Sequence, residues 1–216
     1  WFACTLPGGL EEPAVLMKKA LNEDIGRGKS TLLPQGERAT TRTAALINGT
    51  ASHIIEFDDI YRDGLFHPGS PIISAALAVA EMVDSSGIDL LHGIIAGYDV
   101  ANSIAEAINP HHYNWWHTTA TVGFLGASTS SAVLMGLSSE QTSHALATSG
   151  TMAAGLQQAF RADAMSKPIH SGRAAEGGVL SALLAKNGVT GALDILEGER
   201  GFGNAMSVNV DWKKAL

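Results

Sequence analysis

Residues 118–136 read TTATVGFLGASTSSAVLMG, a helix-length run of Ala, Gly, Ser, Thr and apolar residues with no strand-like alternation. It predicts a helix from Thr118 to Met135 closed by Gly136, a glycine placed where helices commonly end in a left-handed residue. Immediately downstream, Ser138-x-x-Gln141 has the form of a capping box and opens a helix to about Leu156. Upstream, Asp89 caps a helix that runs to about Ile108 and is stopped by Pro110; its Gly93 and Gly97 lie one turn apart and permit close approach of a neighbouring backbone. Ser70-Pro71 is a cap followed by the favoured first-turn proline, and the helix from there to about Val83 is apolar nearly all round, which places it inside. Thr40 to Asp58 carries Ala44, Ile47, Ala51, Ile54 and Ile55 at spacings of three and four, one apolar helical face. A further helix spans Ser171 to Lys186 and is closed by Asn187-Gly188. Period-two runs are rare, and there is no internal repeat or low-complexity tract, so the pattern predicts one all-α, compact multi-helix domain over residues 1–216.

Composition narrows the function classes. The chain has 45% hydrophobic and 16% charged residues, enough apolar content for a packed core. A net charge of −7 and a pI near 5.5 argue against the basic footprint that DNA or RNA requires. The single cysteine, Cys4, makes no internal disulfide and supplies too few thiolates for a zinc ribbon or an iron–sulfur cluster, in keeping with a reducing compartment such as the cytoplasm. No apolar stretch reaches the roughly 20 residues of a membrane span. The chain opens within an apolar run without a start methionine, so a fragment of a longer protein is expected.

Several familiar signatures fail on spacing. Gly28-Lys29-Ser30 resembles the end of a P-loop, but Glu23 stands where the first glycine belongs. Gly201-x-Gly203 runs on to Met206 instead of a third glycine and follows no strand, which removes a dinucleotide fingerprint. There is no Gly-x-Ser-x-Gly elbow, and Cys4 has no histidine nearby.

Three polar clusters remain. His53 and Glu56 are three apart and would share a helix face, with Asp58 and Asp59 at the helix end and His67-Pro68 in the loop beyond; a solvated helix end is the simpler account of these residues and a site the richer one. The run from His111 to His117 packs three histidines and three aromatics into seven positions, followed by the hydroxyls of Thr118, Thr119 and Thr121. Neither the adjacent histidine pair nor the step to His117 has helical metal-ligand spacing, which favours a pocket wall over a metal centre. Finally, Lys167-Pro168-Ile169-His170-Ser171-Gly172-Arg173 sets three basic side chains around an expected helix start, where unpaired N–H groups and the helix dipole attract a carboxylate; alternatively Pro168 ends a turn and Lys167 is solvated.

Taken in order, these segments resemble the MmgE/PrpD family, which includes 2-methylcitrate dehydratases, cis-aconitate decarboxylases and iminodisuccinate epimerases. The resemblance is carried by Asn48-Gly49-Thr50-Ala51-Ser52-His53 running into Glu56-Phe57-Asp58-Asp59, by His67-Pro68, by His117 ahead of Gly123 and Gly126, by Lys167-x-x-His170-x-Gly172-Arg173-Ala174-Ala175, and by Glu197-Gly198-x-x-Gly201-Phe202. One departure is Glu56-Phe57-Asp58-Asp59-Ile60, where relatives often show Asp-Phe-Asp-Asp-Thr.

The resemblance implies a helical domain paired with a smaller α+β domain that this chain lacks, and an active site between the two that works without metal or other cofactor. It also implies a lyase similar to 2-methylcitrate dehydratase, acting on a small di- or tricarboxylate by proton removal next to a carboxylate. Decarboxylase and epimerase chemistry are the alternatives within the family. His67, His117 and Lys167 are assigned by resemblance to catalysis, and Glu56, Asp58 and His170 to shaping the substrate pocket, with the identity of the base open. The expected partners are the small carboxylate and a second copy in a homodimer, with neither nucleic acid nor membrane. The reading from another class is a noncatalytic helical scaffold or oligomerisation module.

Overall fold

The computed structural model describes residues 1–162 and 164–215. In chain order it forms α1 (Phe2–Gly8), α2 (Glu12–Ala20), the strands β1 (Ile25–Thr31) and β2 (Arg38–Ala39), then α3 (Thr41–Ala51), α4 (Gly69–Val83), α5 (Gly87–Ile108), α6 (Thr118–Leu134), α7 (Ser139–Met152), α8 (Gln157–Arg161), α9 (Ser166–Lys186) and α10 (Phe202–Met206). Helix dominates as expected, but the all-α expectation needs one correction. β1 and β2 pair antiparallel through Ser30 with Ala39 and Thr31 with Arg38. The hairpin escapes a period-two reading because Gly26 and Gly28 have positive φ and interrupt the ladder between Ile25 and Ser30. It is tied to the helices by Asn48 of α3, whose amide donates to the Thr31 carbonyl (2.8 Å) and whose oxygen accepts from the Leu33 N–H (3.1 Å).

Helix α6 is the axis of the molecule. It is buried along nearly its whole length and packs against α4, α5, α7 and α9. Its small residues permit this: a Cβ on Gly126 would come within 2.9 Å of the Gly97 carbonyl oxygen on α5, so the two backbones are in direct contact as the Gly97 spacing predicted. A second close crossing joins α3 to α9, where a Cβ on Gly49 would meet the Gly172 Cα at 2.8 Å. Both crossings require glycine because any side chain would force the helices apart. Among the described residues no helix is long and apolar enough to cross a membrane.

The α6 and α7 starts follow the sequence reading, including the complete Ser138–Gln141 capping box, and Gly136 takes the left-handed φ of +66°. Five boundaries differ. Helix α3 stops at Ala51 rather than Asp58, because His53 turns inward and Glu56 adopts a left-handed φ of +54°. Ser70 does not cap α4; its hydroxyl is turned to Asp58 and Ser52. Ser86 rather than Asp89 caps α5, accepting from the Asp89 N–H. Helix α7 ends at Met152, and α9 begins at Ser166, five residues ahead of Ser171, with Pro168 inside its first turn, where a missing N–H costs no helical bond.

Candidate active site

The early end of α3 and the early start of α9 bring the sequence clusters together. The Gly49–Gly172 crossing presses the C-terminal end of α3 against the first turns of α9, so the His53 segment faces Lys167 and His170. The loop before α4 supplies His67, held by its backbone N–H to the Thr119 hydroxyl (3.2 Å). His117 sits at the residue before α6. Its N–H donates to the Gly155 carbonyl (2.9 Å), while the Gln157 N–H donates to the Trp115 carbonyl, so the two segments are stitched side by side.

Four imidazoles result, arranged in a row. His67 meets His53 with ring centroids 4.9 Å apart, His53 stacks on His117 at 5.6 Å, and His117 meets His170 at 5.3 Å. His53 was passed over as a site residue in the sequence, yet it is the fully buried centre of this row. The signal available was a histidine five residues ahead of an aspartate: His53 Nδ1 lies 2.8 Å from Asp58 Oδ2.

Asp58, expected to shape the substrate pocket, is instead buried in this arrangement. Its side chain is 1% exposed and lies behind the histidines, accepting from His53 and from Ser70 Oγ (3.0 Å) and approaching His67 Nδ1 at 3.5 Å. Burial would raise its pKa, but the hydrogen bonds and charges of His53 and His67 outweigh that and hold the carboxyl far below the usual carboxylate range. Asp59 is also structural: it accepts from the Gly69 N–H at the start of α4 (3.2 Å) and from the Tyr98 hydroxyl (3.0 Å).

Burial lowers the pKa of His53, although Asp58 works against the shift. Burial likewise lowers His117 well below its ordinary value, helped by His53, His170 and Lys167, and lowers His170, helped by His53 and Lys167. Both rings are then neutral near pH 7. Their Nδ1 atoms are 3.1 Å apart, and one must donate to the other. In neutral rings this leaves one Nε2 carrying a hydrogen and the other bare, whichever way the bond runs, so the pair offers one proton donor and one acceptor.

Lys167 supplies the cation. Its side chain is 8% exposed, its ammonium pairs with the Glu56 carboxylate and lies 5.5 Å from the Phe160 ring centroid. Glu56 is 51% exposed and reaches Lys167 from a strained left-handed residue. The two line a cavity of ≈ 410 Å³ together with Ile54, Phe160, Met165 and Pro168. A larger cleft of ≈ 660 Å³ between Lys29, Arg38, Glu81 and Asp84 holds two exposed ion pairs; no imidazole lines either space.

Other sequence candidates take structural places. Arg173 points to Glu176, which also accepts from Arg42 Nε (2.6 Å). No helix start lies at Ser171, so the helix-terminus site expected there does not form; Lys167 lies about one turn earlier, in the first turn of α9. His112 is buried between the Met206 carbonyl (3.0 Å) and Thr121 Oγ1 (2.7 Å), and the hydroxyl of Thr119 is taken by the His67 backbone. Among the described residues, only His53, Asp58 and His67 bring three metal-ligand atoms within 4.8 Å of one another. The 2.8 Å contact within that trio is closer than two ligands about 2 Å from one tetrahedral ion would sit, and Ser70 donates to the same oxygen. Within the trio His53 and Asp58 are hydrogen-bonded, and His67 Nδ1 stands 3.5 Å from the same oxygen.

Comparison with known proteins places the chain in a family. Over 215 residues the chain is 26% identical to the "Cis-aconitate decarboxylase-like protein oryM" of Aspergillus oryzae, covering 95% of this chain and 44% of that protein. It is 34% identical over 167 residues to "Cis-aconitate decarboxylase" of Homo sapiens, covering 74% of this chain and 34% of that protein. It is 31% identical over 169 residues to the protein of the same name from Mus musculus, covering 74% of this chain and 33% of that one. The chain thus spans less than half the length of these relatives. Its residues 1–215 match the profile of the MmgE/PrpD N-terminal domain, and the chain belongs to the MmgE/PrpD family.

Proposed function

We propose that the protein carrying this chain is a lyase acting on a small di- or tricarboxylate, with Lys167, His67 and His117 at the reacting centre and Glu56 and His170 beside it. The observation that carries the reading is a nearly buried ammonium set beside a row of imidazoles, two of which form a neutral donor–acceptor pair. Removing or adding a proton next to a carboxylate builds enolate-like charge, and an ammonium in a dry site stabilises it more strongly than water would. Neutral imidazoles supply the other need, proton transfer near pH 7. In the dehydration reading, one imidazole takes the carbon-bound proton and another protonates the departing hydroxyl. Glu56 pairs with the ammonium, and a substrate carboxylate would exchange with it, since the Glu56 side chain is half exposed and can be rehydrated.

Decarboxylation is the second reading, favoured by the names of the relatives, which are cis-aconitate decarboxylases or similar to them. The same centre serves it: loss of carbon dioxide leaves a carbanion that Lys167 stabilises and an imidazole protonates. The test is to give the full-length protein 2-methylcitrate, citrate and cis-aconitate and to identify the products. Loss of water supports dehydration, and release of carbon dioxide moves the assignment to decarboxylation. Failure to bind or turn over any such acid would return the chain to the scaffold class.

A further inference from the structure

We propose that His53 is a positioning residue: together with Ser70 it keeps one oxygen of Asp58 hydrogen-bonded and the carboxylate ionised, and that carboxylate holds His67 in the tautomer whose Nε2 is bare. The inference rests on the reading of His67 as a proton acceptor at the reacting centre.

The geometry is specific. An ionised carboxylate only accepts, so the imidazole nitrogen 2.8 Å from Asp58 Oδ2 carries its hydrogen on Nδ1; His67 Nδ1 is buried without a hydrogen-bond partner, and the nearby acceptor it can close on is that same oxygen, 3.5 Å away. A neutral His67 with hydrogen on Nδ1 has no hydrogen on Nε2. The Nδ1 of His53 is taken by Asp58 and its ring lies fully buried between those of His67 and His117, whereas the His67 side chain is 22% exposed. Asp58 meanwhile has no cation in contact: His53 reaches it from beyond α3, His67 from the loop before α4 and Ser70 from α4, and its Oδ1 is buried without a partner. Asp59 is the neighbouring acid, while His117, His170 and Lys167 face the imidazoles from α6 and α9. A buried carboxylate with so few donors depends on each of them.

Removal of the His53 donor should therefore let Asp58 take up a proton from solvent. The new O–H then donates to His67 Nδ1, and the hydrogen formerly there is replaced by one on Nε2. His67 becomes a donor toward the pocket in place of an acceptor. Asparagine offers a discriminating substitution, because its side-chain amide nitrogen lies close to where the histidine Nδ1 lies.

The experiment is nitrogen-15 NMR of the imidazoles in the full-length protein, alongside pH–rate profiles, for wild type, His53→Phe and His53→Asn. The expected wild-type spectrum has hydrogen on Nδ1 of both His53 and His67 above neutral pH. His53→Phe should move the His67 hydrogen to Nε2 and lower kcat by about 10²-fold or more, the scale of a lost general base, with the acidic limb of the profile displaced to higher pH. His53→Asn should keep the wild-type His67 tautomer and retain kcat within about tenfold, a rescue that a mere packing role would not give. Hydrogen on His67 Nε2 in the wild type would overturn the inference, as would a folded His53→Phe protein with an unchanged His67 tautomer. If His53→Phe does not fold, the wild-type spectrum and Asp58→Asn decide, the latter being required to change the His67 tautomer. The tautomer readout needs no substrate, so it stands or falls separately from the lyase reading.

Discussion

Replacing Lys167 by methionine removes the one buried cation of the site and keeps most of its stem. Methionine fills a similar path beneath Phe160, and its thioether makes favourable contact with an aromatic ring. The ammonium it replaces is 8% exposed, but its partner Glu56 is 51% exposed and can rehydrate when the lysine is gone. The loss is thus nearer the ~1 kcal/mol of an exposed pair than the ~3–5 kcal/mol of a buried pair broken on one side. Relief of the buried ammonium offsets part of it. For a chain of this size ~1 kcal/mol corresponds to a Tm change of about 2–4 °C. Activity should respond far more: loss of a donor that stabilises developing negative charge costs about 10²–10³-fold in kcat. The assay is steady-state kinetics of full-length Lys167→Met on the acid that the wild type turns over, with a thermal melt beside it. A fall in kcat identifies stabilisation of the reacting state, whereas a rise in KM at constant kcat identifies ground-state binding alone. Wild-type kcat and KM in a folded variant would refute the placement of Lys167 in the site.

His117→Ala should lose about 10²–10⁴-fold in turnover while His92→Ala, on the exposed face of α5, stays near wild type; equal small effects in folded proteins would return His117 to a structural role. Burial holds the His112 pKa down at about 4. The unfolded chain binds that proton first, so the stability it carries is present above about pH 6.5 and is lost as pH falls toward 4, on the order of 3 kcal/mol in all. His112→Asn, which keeps a donor for the Met206 carbonyl, should flatten the Tm profile over that range; an equally steep profile would contradict the assignment. Gly172→Ala should destabilise by about 1–3 kcal/mol or more, seen as a Tm drop of several degrees, because its Cβ would lie 2.1 Å from the Leu46 carbonyl oxygen; an unchanged melt would mean α3 and α9 are not in this contact. Chelator treatment should leave turnover of the full-length protein unchanged, and restoration by one added metal after a loss would reverse that expectation.

The helices were legible where the sequence carries local signals with one reading: the Ser138–Gln141 box, the Gly136 stop and the Pro110 stop all stand. Apolar periodicity misled at α3, since Ile54 and Ile55 continue the helical spacing while the chain has already turned to bury His53. What ends that helix is tertiary: the Ser52–Ser70–Asp58–His53 bonds link residues up to 18 apart, which no window of helical length contains. Pro168 was ambiguous for a related reason, because a proline both stops a helix and fits its first turn. Glu56, His67, His117, Lys167 and His170 were found as local clusters, and the fold brings them together. That Asp58 stands behind the site and His53 at its centre depends on which way each side chain faces, and composition and spacing carry no such information.

The most direct test of the central claim, that the imidazole row and Lys167 form a proton-transfer centre for small carboxylates, is turnover in heavy water. The full-length protein should be incubated with 2-methylcitrate, citrate and cis-aconitate, and the carbon-bound hydrogens followed by NMR and mass spectrometry. Deuterium is expected at the carbon next to a carboxylate, in recovered substrate where loss of water reverses and in the product where cis-aconitate is hydrated or decarboxylated, abolished in His67→Ala and strongly reduced in Lys167→Met. Turnover of cis-aconitate, by hydration or by loss of carbon dioxide, with no solvent-derived hydrogen at that carbon, or deuterium uptake undiminished in both variants, would contradict it.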